Sequence, residues 1–187
     1  NQGIRQNILF KEEEITKGDR LMVVKNCYHF VDEIPEMDFI ANGDIAEVLR
    51  IRNFTERYGF RFAKALLRFP DYKDIELDVH ILLDTLDSQS PALTREEQQK
   101  LYEGVSEDYL TIKNKRKRYK AIREDLYMNA LQVKFAYAIT CHKAQGGQWK
   151  AVFVDKAFFG DICNADVLQW YYTAFTRATE ELILINL

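Results

Sequence analysis

The stretch Ala41-Asn42-Gly43-Asp44-Ile45 sits between two β-prone regions, and its reading sets the architecture. Asn-Gly is a strong tight-turn signal, because the mirror-image hairpin turn needs positive φ at both central residues. Upstream, Asp19 to Asn26 reads as a short strand, followed by a loop containing Pro35. Downstream, three runs alternate imperfectly between apolar and polar residues: Ile45 to Asn53, Phe60 to Phe69, and Ile75 to Leu83. About five short strands within residues 19–84 predict a small β-barrel.

The character then changes. Thr94-Arg95-Glu96-Glu97 has capping-box spacing, with Thr at the N-cap and Glu three residues on, and predicts a helix to about Tyr102 or beyond. Residues 113–120 carry six basic residues in eight and lead into a second helix through Asp125. The last third alternates. Leu131 to Ile139 is a strand candidate. Ala151 to Val154 is a buried strand ending at Asp155. Asp166 to Ala178 is a helix capped by Asp166, and Leu182 to Ile185 is a closing strand. Strand–helix–strand order with continuous apolar strands predicts a parallel α/β sheet. The expected fold class is therefore α/β with an inserted β-barrel. Residues 1–17 and 112–187 form the split α/β domain, and residues 18–111 form the barrel and a helical connector.

A length of 187 residues suits one good-sized domain or two small ones. The net charge of −3 gives no global basic field. No apolar run approaches the roughly 20 residues that span a bilayer, so no membrane partner is expected. The start, Asn1-Gln2-Gly3-Ile4-Arg5, is not a signal peptide and lacks an initiator Met, which reads as a fragment of a longer protein. Three cysteines, Cys27, Cys141 and Cys163, form no Cys-x-x-Cys pair. They read as reduced thiols, with the cytoplasm as the expected compartment.

A standard phosphate loop needs Gly-Lys followed by Ser or Thr. None of the eight glycines is followed by Lys, so this chain has no P-loop of its own. Zinc needs three or four convergent ligands, and neither Cys27 with His29 nor Cys141-His142 sits in such a pattern. No metal site is read. A Cys–His nucleophile is disfavoured too, because side chains adjacent in sequence rarely face each other. What remains of Thr140 to Lys150 is a strand-to-loop transition. Thr140, His142 and Lys143 can contact phosphate or bases, and Gly146-Gly147 allows close backbone approach. An ordinary turn explains the same residues equally well. On the helix over 166–178, Asp166, Trp170, Thr173 and Arg177 share a stripe on an otherwise apolar element. Arg177 either neutralises the helix C-terminus and pairs with Glu180 or Glu181, or is aimed at a phosphate.

Thr140-Cys141-His142-Lys143-Ala144-Gln145-Gly146 resembles motif V of superfamily 1 helicases, especially their RecD-like and UvrD-like members. Tyr172-Thr173-Ala174-Phe175-Thr176-Arg177-Ala178 resembles their motif VI. Gly18 to Val23 with Asn42-Gly43-Asp44-Ile45 is similar to the SH3-like insertion of that group. The resemblance covers most of the chain and is weakest over residues 85–130.

This resemblance implies the second of two RecA-like motor domains, from an ATP-dependent DNA helicase like an exodeoxyribonuclease alpha subunit. ATP would lie in the cleft between the two domains, and single-stranded DNA would cross both. The first motor domain, with the P-loop and the acid that holds Mg²⁺, would be a partner outside this chain. The fragment alone would be inactive as an ATPase. By the same implication Arg177 is the arginine finger. Thr140, His142 and Lys143 touch the DNA strand, and Gln145, Gly146, Gln148 and Thr173 couple it to nucleotide. Gln148 departs from the family, where a Glu often holds the ribose. Arg5 matches the tail of motif IV. Lys115 and Arg116 in the basic run belong either to a solvated helix face or to a DNA backbone contact. Recombination or repair proteins are further partners the resemblance implies. Two other readings stand beside it: a non-catalytic nucleic-acid- or protein-binding module derived from a helicase domain, and an RNA helicase.

Overall fold

The computed structural model describes residues 1–31, 34–155 and 164–186. Cys163, one of the three thiols, lies outside the described residues. The chain forms two compact units, Asn1–Tyr137 and Ala138–Leu187.

The first unit is built on a closed barrel of five strands in the order β1 (Arg20–Val23), β2 (Ile45–Arg57), β3 (Phe60–Phe69), β4 (Ile75–Leu82) and β5 (Leu131–Phe135). Neighbours are antiparallel except β4 and β5, which run parallel. Strand alternation sorts the side chains. On β3, Ala63, Ala65, Leu67 and Phe69 join Leu21, Val48, Val79, Ile81 and Val133 in the main core. Phe60 and Phe62, of opposite parity, point the other way into a second cluster with Leu101, Val105 and Ile122. That cluster seats two helices, α2 (Arg95–Asp108) and α3 (Lys115–Arg123), which follow a four-residue helix α1 (Asp84–Asp87).

The expected RecA-like parallel α/β sheet is overturned. The main sheet is the closed barrel, and Leu131–Phe135, read as a strand of the parallel sheet, is its fifth stave. An apolar run signals burial without naming the partner. Here Leu131, Val133 and Phe135 face the barrel core, while the Gln132 side chain accepts a hydrogen bond from Leu93 N–H at 2.9 Å. Among the described residues of the second unit, parallel pairing joins β6 (Trp149–Asp155) and β7 (Ala178–Ile185), a two-stranded sheet whose crossover carries α4 (Ala165–Phe175).

Turn chemistry also differs from expectation. The Ala41–Asp44 turn is closed by Asp44 N–H to Ala41 O at 3.1 Å, and within it Gly43, but not Asn42, takes positive φ. The two-residue hairpin with both central residues at positive φ is Tyr58-Gly59, joining β2 to β3. The Thr94 capping box forms as read, with Glu97 N–H donating to Thr94 Oγ1 and Thr94 N–H donating to Glu97.

A buried ion cluster anchors the segment before β1. Asp19 is fully buried, and Arg5 is 3% exposed. Arg5 donates through Nε and Nη2 to Asp19 at 3.1–3.2 Å. Lys11 Nζ donates at 2.9 Å, Thr16 N–H at 2.7 Å, and the Tyr137 hydroxyl completes the shell. Burial pushes the Asp19 carboxyl up, but the bonds from Arg5, Tyr137, Thr16 and Lys11 outweigh it and hold the group below its ordinary range.

Candidate functional site

The site lies in the second unit, where two sequence segments meet. Residues Thr140 to Gly147 form a coil of overlapping turns. Lys143 N–H and Ala144 N–H donate to Thr140 O, Gln145 N–H to His142 O, and Gly147 N–H to Ala144 O. Ala144 is its buried anchor, at 8% exposure. Gly146 takes φ +86°, a left-handed conformation that L side chains adopt rarely. The coil leaves Thr140, His142, Lys143, Gln145, Gly146 and Gln148 exposed. These are the side chains and backbone that sequence reasoning singled out, and the turns bring them onto one short segment.

Helix α4 supplies the other half. Asn164, not Asp166, caps it, its side chain accepting from Asp166 N–H at 3.0 Å. Its burial is also narrower than its composition implies. Val167 and Ala174 are buried, whereas Leu168 and Tyr172 are 55% and 72% exposed.

Arg177 follows the helix end. Its Nε donates to Thr173 O at 3.0 Å, satisfying one of the carbonyls that a helix C-terminus leaves open. Nη2 donates to Thr176 Oγ1 at 3.0 Å. Nη1 reaches Gly147 O at 3.1 Å, thirty residues away in sequence. The Arg177 backbone closes the same junction, its carbonyl accepting from Trp149 N–H at 2.9 Å. Glu180 and Glu181 are not its partners; Glu180 pairs with Lys150 at 3.5 Å. Thus Arg177 does cap the helix, as its position allowed, and it also ties α4 to the Thr140–Gly147 coil. A second tie is Cys141 Sγ to Trp170 O at 3.6 Å.

Sequence reasoning missed Gly147 O and the Thr176 hydroxyl as the partners that aim Arg177. A hydroxyl beside the Arg was visible; a backbone carbonyl thirty residues away carries no sequence signal. Thr173 contributes its carbonyl to Arg177, and its hydroxyl bonds back to Gln169 O at 2.9 Å. Burial pushes the Cys141 thiol up, against a smaller opposite pull from Arg177. A shift in this direction lowers the share of thiolate, the form that acts as nucleophile.

Three expected site residues lie in the first unit. Arg5 is enclosed in the Asp19 cluster, with Nη1 donating to Lys11 O at 3.1 Å. Lys115 and Arg116 are exposed in the first turn of α3. Among the described residues, no group of three or more His, Cys, Asp or Glu is placed to hold a metal ion. Among the described residues, no helix is long and apolar enough to cross a membrane.

Residues 135–185 match the family model of the UvrD-like helicase C-terminal domain. The match spans the Thr140–Gly147 coil, α4 and Arg177 together, so this region is similar to a UvrD-like helicase C-terminal domain. A search of curated proteins returns no match.

Proposed function

We propose that this chain is the C-terminal part of an ATP-dependent DNA helicase, coupling nucleotide hydrolysis to movement along single-stranded DNA. The observation that carries the reading is the Arg177–Gly147 bond, inside a region similar to a UvrD-like helicase C-terminal domain. It joins the segment that resembles motif VI to the residue that directly follows the segment resembling motif V. The exposed Thr140, His142 and Lys143 take the DNA strand, and Arg177 serves as the finger that stabilises charge on the transferred phosphoryl group. Gln145, Gly146, Gln148 and Thr173 lie between them. The five-stranded barrel is read as the SH3-like element of the RecD-like group.

Three of Arg177's donor positions are already bonded within the chain. Two of its five N–H donors remain for a γ-phosphate, and a fuller grip on the phosphate oxygens would draw on the donor now given to Gly147 O. That exchange would loosen one of the ties on the coil that holds the DNA contacts, which gives a physical link between nucleotide state and grip. The chain has no Gly-Lys pair, so on this reading the phosphate loop, and with it the Mg²⁺-holding acid, is supplied from outside it.

The test uses the full-length protein. Arg177→Ala should cut DNA-stimulated ATP turnover by about 10³-fold or more while leaving nucleotide binding nearly unchanged. Unchanged turnover would remove the finger assignment. The 187-residue chain alone should hydrolyse no ATP, and measurable turnover by it would refute the division of labour.

A further inference from the structure

We infer that α3 and the groove beside it form a second nucleic-acid surface, on the first unit, which takes the phosphate backbone of a single strand. From Lys113 to Arg123 the chain carries seven cations and no carboxylate, in a protein of net charge −3. Among the described residues, the single ion pair these cations make is Lys120 with Glu124, at 3.7 Å. A merely solvated helix face alternates its charges. This one places like charges at i,i+4 (Arg116 and Lys120) and at i,i+3 (Lys117 with Lys120, Lys120 with Arg123), arrangements that oppose helix formation. It also opens with Lys115, Arg116 and Lys117, where the helix dipole is already positive. The helix holds nonetheless, because Asn114 caps it, accepting from Arg116 and Lys117 N–H, and Ile122 is buried beneath it. A polyanion would relieve this concentrated charge.

The surface has the shape and the aromatic groups that such a ligand needs. Arg116, Lys117, Tyr119, Lys120 and Arg123 line a groove of about 700 Å³. Arg123 and Glu124 also border a second groove, of about 350 Å³, which runs past Lys25, Tyr28 and His29. Tyr119 is 57% exposed and Tyr28 is 60% exposed. Tyr28 is braced by Phe39, with ring centroids 5.1 Å apart. Cations tracking a backbone, interleaved with exposed rings on which bases stack, are what sequence-tolerant single-strand binding requires. The inference concerns the first unit alone and holds whether or not residues 138–187 take part in hydrolysis.

The test is fluorescence anisotropy of the 187-residue chain with a labelled oligothymidylate of about 16 nucleotides, without ATP, over a salt series. Replacing Arg116, Lys117, Lys120 and Arg123 by Gln should weaken binding roughly tenfold or more and flatten the log–log salt slope by about 3. Tyr119→Leu should weaken binding about fivefold or more and leave the slope unchanged. Lys17→Gln, Lys73→Gln and Arg95→Gln together, exposed cations elsewhere on this unit, should change little. Should the quadruple variant fail to melt cooperatively by circular dichroism, Lys117→Gln with Arg123→Gln takes its place, with half the slope change. The inference is overturned if the wild-type chain does not bind the oligonucleotide. It is equally overturned if the α3 variants keep the wild-type slope, if the control set weakens binding as much, or if phosphatidylserine vesicles bind while the oligonucleotide does not.

Discussion

Asp19→Asn should be the most damaging isosteric change in the first unit. Asp19 is fully buried and faces two cations, Arg5 at 3.1 Å and Lys11 at 2.9 Å. Asparagine keeps the shape but removes the charge, and it turns one acceptor into an NH₂ group pointing at donors. Arg5, 3% exposed, would retain one neutral amide oxygen at position 19, the Lys11 carbonyl at 3.1 Å and the Phe135 ring face, 5.0 Å from its guanidinium carbon, and no counter-charge from position 19. Breaking one partner of a buried pair costs about 3–5 kcal/mol. For a unit of this size, that lowers the melting temperature by roughly 10–20 °C.

Both tryptophans, Trp149 and Trp170, lie in the second unit, so their fluorescence is a poor reporter of this loss. Far-UV circular dichroism or hydrogen exchange at the β2–β3 amides is the suitable assay. Because the native carboxyl is held below its ordinary value, its stabilisation is complete above about pH 4, where the unfolded carboxyl titrates. It is lost as pH falls through the lower native value. The gap in unfolding free energy between wild type and variant should therefore be constant near neutrality and close in acid. In Arg5→Met with Asp19→Asn, the losses should be well short of additive. A variant melting within about 2 °C of wild type, or a gap independent of pH down to about pH 2, would refute the reasoning.

Three further outcomes follow from local geometry. Thr94→Ala removes the hydroxyl that accepts from Glu97 N–H, while the backbone N–H of residue 94 still donates to Glu97; it should cost about 1 kcal/mol in a denaturant titration, with the slope unchanged. Gly104→Ala places a Cβ 2.8 Å from the Tyr58 side chain, whose hydroxyl is pinned to Asp108 at 2.6 Å; it should destabilise the first unit despite the better helix propensity of Ala. Gly147→Ala puts a Cβ 2.4 Å from the Trp149 ring, so it should shift tryptophan fluorescence and, in the full-length protein, loosen the Arg177 bond that its carbonyl accepts.

Where sequence reasoning succeeded, the determining interactions are short-range. The Phe60–Phe69 strand is fixed by alternation, and α2 by a Thr and a Glu three residues apart. Where it failed, a competing partner was invisible. Asn164 took the cap expected of Asp166, because either residue can accept from the first helical N–H groups. Tyr58-Gly59 makes the mirror-image turn that Asn42-Gly43 advertised. The antiparallel β2–β3 register imposes that geometry, and Gly59 tolerates it.

The sequence alone determined that this chain has no phosphate loop, that residues 113–120 are basic, and that Thr140 to Gly146 and Arg177 form the candidate site. These are statements about which groups exist. The tertiary structure decided where they go. Leu131–Phe135 pairs with β1, more than a hundred residues upstream, and closes a barrel instead of joining a parallel sheet. Arg177 finds Gly147 O, and Arg5 finds Asp19. Apolarity and charge state only what a segment must bury or neutralise. Which of several chemically equivalent partners does so is settled by chain topology, through contacts that no local window contains.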